Sequence, residues 1–124
     1  MVRFSDLGIE PTLVSCLADQ GITEPFEVQI EAIPSAMEGR DICCRAPTGS
    51  GKTLAFGLPL ISRTVPAKPK KPTALILTPT RELAEQIRNV LDPLAWDSRM
   101  KVLSVYGGTC LLYTSDAADE SSSV

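Results

Sequence analysis

Residues 46–53, Ala46-Pro47-Thr48-Gly49-Ser50-Gly51-Lys52-Thr53, bring together the residue types that an anion site needs. Gly49 and Gly51 carry no Cβ, so the backbone can curl there and turn successive N–H groups toward oxygen atoms. The apolar run that follows, 54–61, reads as a helix, and the partial positive charge of its N-terminus aims at the same place. Lys52 would set a mobile ammonium on the outer phosphates of a nucleotide, and the Thr53 hydroxyl suits the Mg²⁺ that accompanies them. Thr48, Gly49, Ser50, Gly51, Lys52 and Thr53 are therefore the candidate phosphate-holding residues. The usual spacing opens on glycine, and Ala46 misses that form by one methyl group. A plainer alternative is a flexible Gly/Ser turn ahead of a core helix. The strand-like segment 41–45 before the loop and the helix after it favour the phosphate reading.

Composition bounds what else the chain can do. Its 124 residues allow one small domain, and a net charge of −3 gives no broad basic surface for coating nucleic acid. With no histidine, imidazole acid–base chemistry is excluded and most zinc sites with it. Cys16, Cys43, Cys44 and Cys110 have no metal-like spacing, and Cys43 and Cys44, on opposite faces of a strand, suit a core. No apolar run reaches membrane length and the N-terminus lacks the shape of a signal peptide, so a cytoplasmic location is expected.

The elements that must position the loop follow from periodicity and punctuation. Phe4 precedes a short polar start; Pro11 fits the first turn of a helix with Leu13, Val14 and Leu17 on its apolar side, and Gly21 ends it. Pro25 opens a second helix in which Phe26, Ile30, Ile33 and Met37 form a stripe, Pro34 should kink the axis, and Gly39 closes it. The lysine- and proline-rich stretch 65–72 reads as a solvated loop, with nucleic-acid contact the less economical alternative. The apolar run 73–78 is expected to be a parallel strand covered on both faces. Thr80 can cap the next helix, on which Leu83, Ile87, Val90, Leu91 and Leu94 face a core; Pro93 should end or bend it. A third strand over 101–106 leads into the turn Gly107-Gly108. Strands alternating with helices call for an α/β layer structure with right-handed crossovers. Beyond Thr109 the periodicity stops, and 110–124 reads as a disordered or non-native tail; its string is similar to a translated transposon adapter from sequencing libraries.

Four blocks then fall in a known order. Residues 21–29, Gly-Ile-Thr-Glu-Pro-Phe-Glu-Val-Gln, resemble the adenine-reading Q motif of DEAD-box ATP-dependent RNA helicases, with Phe4 upstream where that family keeps an isolated aromatic. Residues 46–53 are similar to motif I, alanine in first place included. Pro79-Thr80-Arg81-Glu82-Leu83-Ala84 is similar to motif Ia, and Gly107-Gly108 to the paired-glycine motif. The resemblance runs from about Phe4 to Thr109 and implies an incomplete RecA-like P-loop domain, a parallel sheet flanked by helices, over 1–109. It implies ATP and Mg²⁺ as cofactors, and RNA as a partner held through its backbone by a monomeric protein. Gln29, with both an amide donor and an acceptor, would read adenine. Phe4 would stack on the base, the alternative being a local staple on the first helix. Thr80, Arg81, Gly107 and Gly108 would hold RNA phosphates and sugars, with a surface pair between Arg81 and Glu85 as the alternative for the arginine. Phe26 departs from the family, where Ser or Thr commonly follows the proline.

The resemblance also marks what the sequence does not contain. No Asp-Glu-Ala-Asp follows to organise Mg²⁺ or the attacking water, and no second RecA-like half supplies arginines for the γ-phosphoryl charge. Such a portion is expected to bind weakly, to lack useful ATPase activity and to leave sheet edges exposed. Two other classes stay open, a P-loop kinase or metabolic NTPase and a non-enzymatic truncated product.

Overall fold

The computed structural model describes residues 2–49, 51–64 and 71–106. The paired glycines Gly107 and Gly108, the loop residue Ser50, most of the 65–72 stretch and the tail 110–124 lie outside the described residues. Two compact units are formed, Met1–Arg63 and Thr64–Val124.

In the first unit a 3₁₀ turn, Phe4–Leu7, leads into helices α1 (Pro11–Asp19), α2 (Glu27–Met37) and α3 (Lys52–Arg63). Pro11 occupies the first turn of α1, where its missing N–H costs nothing. Phe4, Leu7 and Ile9 from the turn and its exit, Leu13 and Leu17 from α1, Ile33 from α2 and Leu58 from α3 are buried as the core of this unit. The turn contacts α1 and α2, and α2 packs along α3.

Gly21 and Gly39 end α1 and α2 as their positions in the sequence require. Each adopts a positive φ and donates its N–H back into the last turn, Gly21 to the Ala18 carbonyl at 2.9 Å and Gly39 to that of Ala36 at 3.0 Å. The next residue closes the motif in both cases, Ile22 onto Leu17 and Arg40 onto Ser35. At Gly39 space is as restrictive as conformation, because a Cβ would stand 3.0 Å from the Arg63 guanidinium. That same guanidinium donates to the Ala36 carbonyl at 3.3 Å, so the last residue of α3 caps the end of α2.

The two helices therefore run parallel. Their C-terminal ends are joined by Arg63, and their N-terminal ends by Gln29, whose Nε2 donates to the Gly51 carbonyl at 3.1 Å. Since α2 is about 16 Å long at 1.5 Å per residue, the connection 38–51 has to run back along its whole length. That return is the path a strand takes between successive helices of an α/β layer.

The strands themselves are where expectation and structure part. Among the described residues none of the segments 41–45, 73–78 and 101–106 forms a ladder. Strand pairing is non-local and requires a neighbour at each edge, and the side chains report its absence here: Leu75 is 80 % and Leu77 is 85 % exposed, and Ile42 is exposed as well. Cys43 and Cys44, expected in a core, are exposed free thiols for the same reason. The parallel sheet is thus not seen among the described residues; the helices that would flank it are.

In the second unit α4 (Arg81–Asp97) starts at Thr80, whose Oγ1 accepts the Leu83 N–H at 3.1 Å. Thr78 secures the approach by donating its hydroxyl to the Thr80 carbonyl at 2.9 Å. Ile87, Leu91, Leu94 and Ala95 are its buried face. Pro93 does not end the helix, which continues to Asp97; Pro34 and Pro59 likewise sit inside α2 and α3. A proline in a helix removes one backbone bond, and burial of the neighbouring Ile33, Leu58 and Leu94 holds each helix through it. The α4 terminus uses the same closing motif as α1 and α2, but with Arg99 at φ 60 in the position the other two give to glycine.

Candidate nucleotide site

The described part of the loop 46–53 leads directly into α3. The helix begins at Lys52, and Gly49 and Gly51 directly before it have φ of 82° and 85°. The first N–H groups of a helix have no partner inside it, and Ala55, in the first turn of α3, is among the described residues the first whose N–H bonds back, to the Gly51 carbonyl. No acidic side chain lies in that first turn to cancel its positive end. Lys52 is exposed and Thr53 half-buried at the same end.

The two glycines differ in what surrounds them. A Cβ on Gly49 would meet nothing within 4 Å, so this residue borders open space above the loop. On Gly51 it would stand 2.5 Å from Gln29 Nε2 and 2.6 Å from Phe26 Cδ2, closer than such contacts occur. Gly51 is the point where the start of α2 is pressed against the loop.

Gln29 makes that contact. It is 2 % exposed, the buried polar side chain of the described core. Its Oε1 accepts the Phe26 N–H at 2.8 Å, which caps α2 from inside, while Nε2 donates to the Gly51 carbonyl, the same oxygen that receives the first helical N–H of α3 from Ala55. Both ends of the carboxamide are committed to backbone, as burial of an amide demands.

The aromatic side chains are distributed otherwise than the sequence suggested. Phe4, expected to stack on a base, is 1 % exposed and opens the 3₁₀ turn, where its ring joins the core of the first unit. Phe26, placed by periodicity on the apolar stripe of α2, instead precedes the helix in extended conformation (φ −78°, ψ 163°) and is 56 % exposed beside Gly51. The resemblance set position 26 within the base-reading motif, while periodicity put its side chain on the stripe; a residue at the N-cap no longer follows helical spacing. Among the RNA-contact candidates, Thr80 is the cap of α4, and the Arg81 guanidinium lies over the Tyr106 ring, 5.3 Å from its centroid. Glu85, the alternative partner of that arginine, pairs with Arg88 at 3.5 Å.

The model of the DEAD/DEAH box helicase family matches residues 26–122. This chain belongs to the DEAD/DEAH box helicase family. Among curated relatives, RNA helicase CrhR of Synechocystis is 45 % identical over 105 residues, covering 85 % of this chain and 21 % of the relative. ATP-dependent RNA helicase dbp-9 of Neurospora crassa is 50 % identical over 95 residues, 73 % of this chain and 14 % of its own length. The chain thus spans about a fifth of the length of such DEAD/DEAH box relatives. Among solved structures, the RNA helicase Prp28 of Chaetomium thermophilum bound to ADP superposes with a TM-score of 0.83 at 38 % identity, over 94 % of this chain and 30 % of that one. A DEAD box protein of Methanococcus jannaschii gives 0.76 at 30 % identity, over 95 % and 32 %. The helicase-family chain accordingly has the RecA-like fold of these neighbours, with its sheet the part the described residues do not display.

Among the described residues no group of three or more His, Cys, Asp or Glu side chains could hold a metal, and no helix is long and apolar enough to cross a membrane. Mg²⁺ does not need such a cage: it keeps waters and takes oxygens mainly from the phosphates it accompanies. A single hydroxyl at the head of α3 fits that mode.

Proposed function

We propose that this chain is the front part of the nucleotide-binding domain of an ATP-dependent RNA helicase. The observation that carries the reading is the start of α3 at Lys52 behind two left-handed glycines, with no acid in its first turn. Bound ATP would supply the phosphoryl-transfer chemistry, with Mg²⁺ neutralising charge between its outer phosphates. The N–H groups of 49–53, together with Thr48 and Ser50, wrap the phosphate tail; Lys52 neutralises it; Thr53 offers its hydroxyl to the metal ion. Gln29 sits behind the loop and reads the base edge through the donor and acceptor capacity its two backbone bonds leave over. Thr80, Arg81, Gly107 and Gly108 hold RNA by its backbone, which positions a strand without reading its sequence. The same reading takes the protein as monomeric and cytoplasmic.

Calorimetric titration of the chain with a non-hydrolysable ATP analogue in Mg²⁺ tests the reading. Weak, saturable binding that disappears in Lys52→Ala is the expected result. Equal binding by the two proteins would remove Lys52 from the site.

A further inference from the structure

Within the second unit, the first residue of α4 meets the last described residue of the segment 101–106. The Arg81 guanidinium lies over the Tyr106 ring, its Cζ 5.3 Å from the centroid. Arg81 is exposed and Tyr106 half-buried. A long side chain on an exposed helix position keeps most of its rotamer freedom. The ring takes some of that freedom away before any ligand is present.

How a guanidinium is held decides what it can still do. A carboxylate takes the in-plane N–H groups, the donors a phosphate would use, and cancels the charge. An aromatic ring holds the cation through its π-face and makes no claim on the N–H groups at the edge. Glu85, at the i+4 spacing that suits an ion pair with Arg81, is turned instead to Arg88 at 3.5 Å. Helix formation does not favour the placement either, because a cation at the head of α4 faces the positive end of the dipole.

We propose that Tyr106 is the positioning residue for Arg81, holding the guanidinium over its ring so that the edge N–H groups meet an RNA phosphate. Tyr106 itself makes no contact with the RNA strand. The proposal rests on the RNA-backbone reading above and adds to it the residue that readies the arginine. Rotamer entropy is then lost on folding and not on binding, which is how preorganisation raises affinity. Tyr106 directly precedes Gly107 in the sequence, so the same stack ties the segment leading to the paired glycines to the head of α4.

The test follows binding of a short, fluorescently labelled oligouridylate at low salt by anisotropy. It compares the unaltered chain, Tyr106→Leu, Tyr106→Phe, Arg81→Ala and the double variant Arg81→Ala with Tyr106→Leu. Tyr106→Leu should weaken RNA binding about two- to fivefold, the worth of one exposed cation–π contact. Tyr106→Phe, which keeps the face and drops the hydroxyl, should bind as the unaltered chain does. In the Arg81→Ala background Tyr106→Leu should change nothing further, as two residues acting as one require. A loss of the same size in both backgrounds, or equal losses in Tyr106→Phe and Tyr106→Leu, would overturn the proposal. So would unchanged affinity in Tyr106→Leu where Arg81→Ala weakens binding, and the RNA reading of Arg81 would then stand alone. Should Tyr106→Leu lower the urea midpoint, Tyr106→Trp decides. Its stronger π-face should tighten binding when Arg81 is present and leave it unchanged in Arg81→Ala; the same response in both backgrounds would overturn the proposal. Failure of the unaltered chain to bind oligouridylate, or equal binding by Arg81→Ala, would instead overturn the RNA-backbone reading of Arg81, and this inference with it.

Discussion

Gln29 Nε2 lies 3.1 Å from the carbonyl oxygen of Gly51, a hydrogen bond that spans 22 positions of sequence. It fastens the head of α2 to the head of α3 at the residue where the loop 46–53 turns into helix. Because Gln29 Oε1 is bonded to the Phe26 N–H, one side chain fixes two helix starts.

Gln29→Ala should therefore do more than relax base preference. Removing the carboxamide leaves the Phe26 N–H without its acceptor and opens a gap under the loop, at a cost of about 1–3 kcal/mol for the unmade bond. Urea unfolding should show a lowered midpoint with unchanged slope. Gln29→Glu keeps an acceptor for Phe26 but turns a carboxylate oxygen toward the Gly51 carbonyl, and should unfold at least as readily at neutral pH. A residue that only read adenine would leave both midpoints where they were.

The two loop glycines should respond unequally to the same methyl group. Both have φ above 80°, so alanine pays the left-handed penalty of about 1–2 kcal/mol at either. At Gly49 that is the whole cost, since nothing lies within 4 Å. At Gly51 the methyl also collides with Gln29 and Phe26, and relieving the collision means breaking the bond that joins the helices. Gly51→Ala should be clearly the less stable of the pair in urea, and hydrogen exchange should quicken at the N-terminal turns of both α2 and α3.

How much of this was legible in the sequence depends on whether a feature is made locally. The start of α3 beside Gly49 and Gly51, the stops at Gly21 and Gly39 and the cap at Thr80 are each written within a few residues, and each is found in place. Ladders over 41–45, 73–78 and 101–106 depend on partners elsewhere in the chain, and their apolar runs could not say whether partners would be met. Phe26 was misplaced for a third reason: one extended residue before α2 turns it out of a stripe that spacing alone assigns. For Gln29 the residue type pointed to a ligand, whereas its burial and two backbone bonds are properties of the packed helix pair. Phe4 shows the converse, an aromatic that spacing sets apart from the core and packing returns to it.

Arg99 holds a conformation its side chain disfavours. It takes φ 60 so that its N–H reaches the Trp96 carbonyl at 3.0 Å and Met100 the Ala95 carbonyl at 2.8 Å, closing α4. Glycine adopts the same angles without the Cβ penalty but loses more freedom on folding. The balance favours Arg99→Gly by roughly 0.5–1 kcal/mol, read as a higher urea midpoint. Arg99→Val, β-branched, should shift it the other way.

Lys52 sets stability against binding. A cation in the first turn of α3 faces the positive end of the helix dipole, and no acid in that turn offsets it. Such a placement costs about 0.3–1 kcal/mol at an exposed site, and Lys52 is exposed. Lys52→Met keeps the aliphatic stem and removes the charge. It should raise the urea midpoint slightly at low ionic strength, and the gain should shrink as salt screens the dipole. In the same protein, binding of tripolyphosphate should be lost. A lysine placed there for the fold would show the opposite pairing, a lower midpoint with phosphate binding kept.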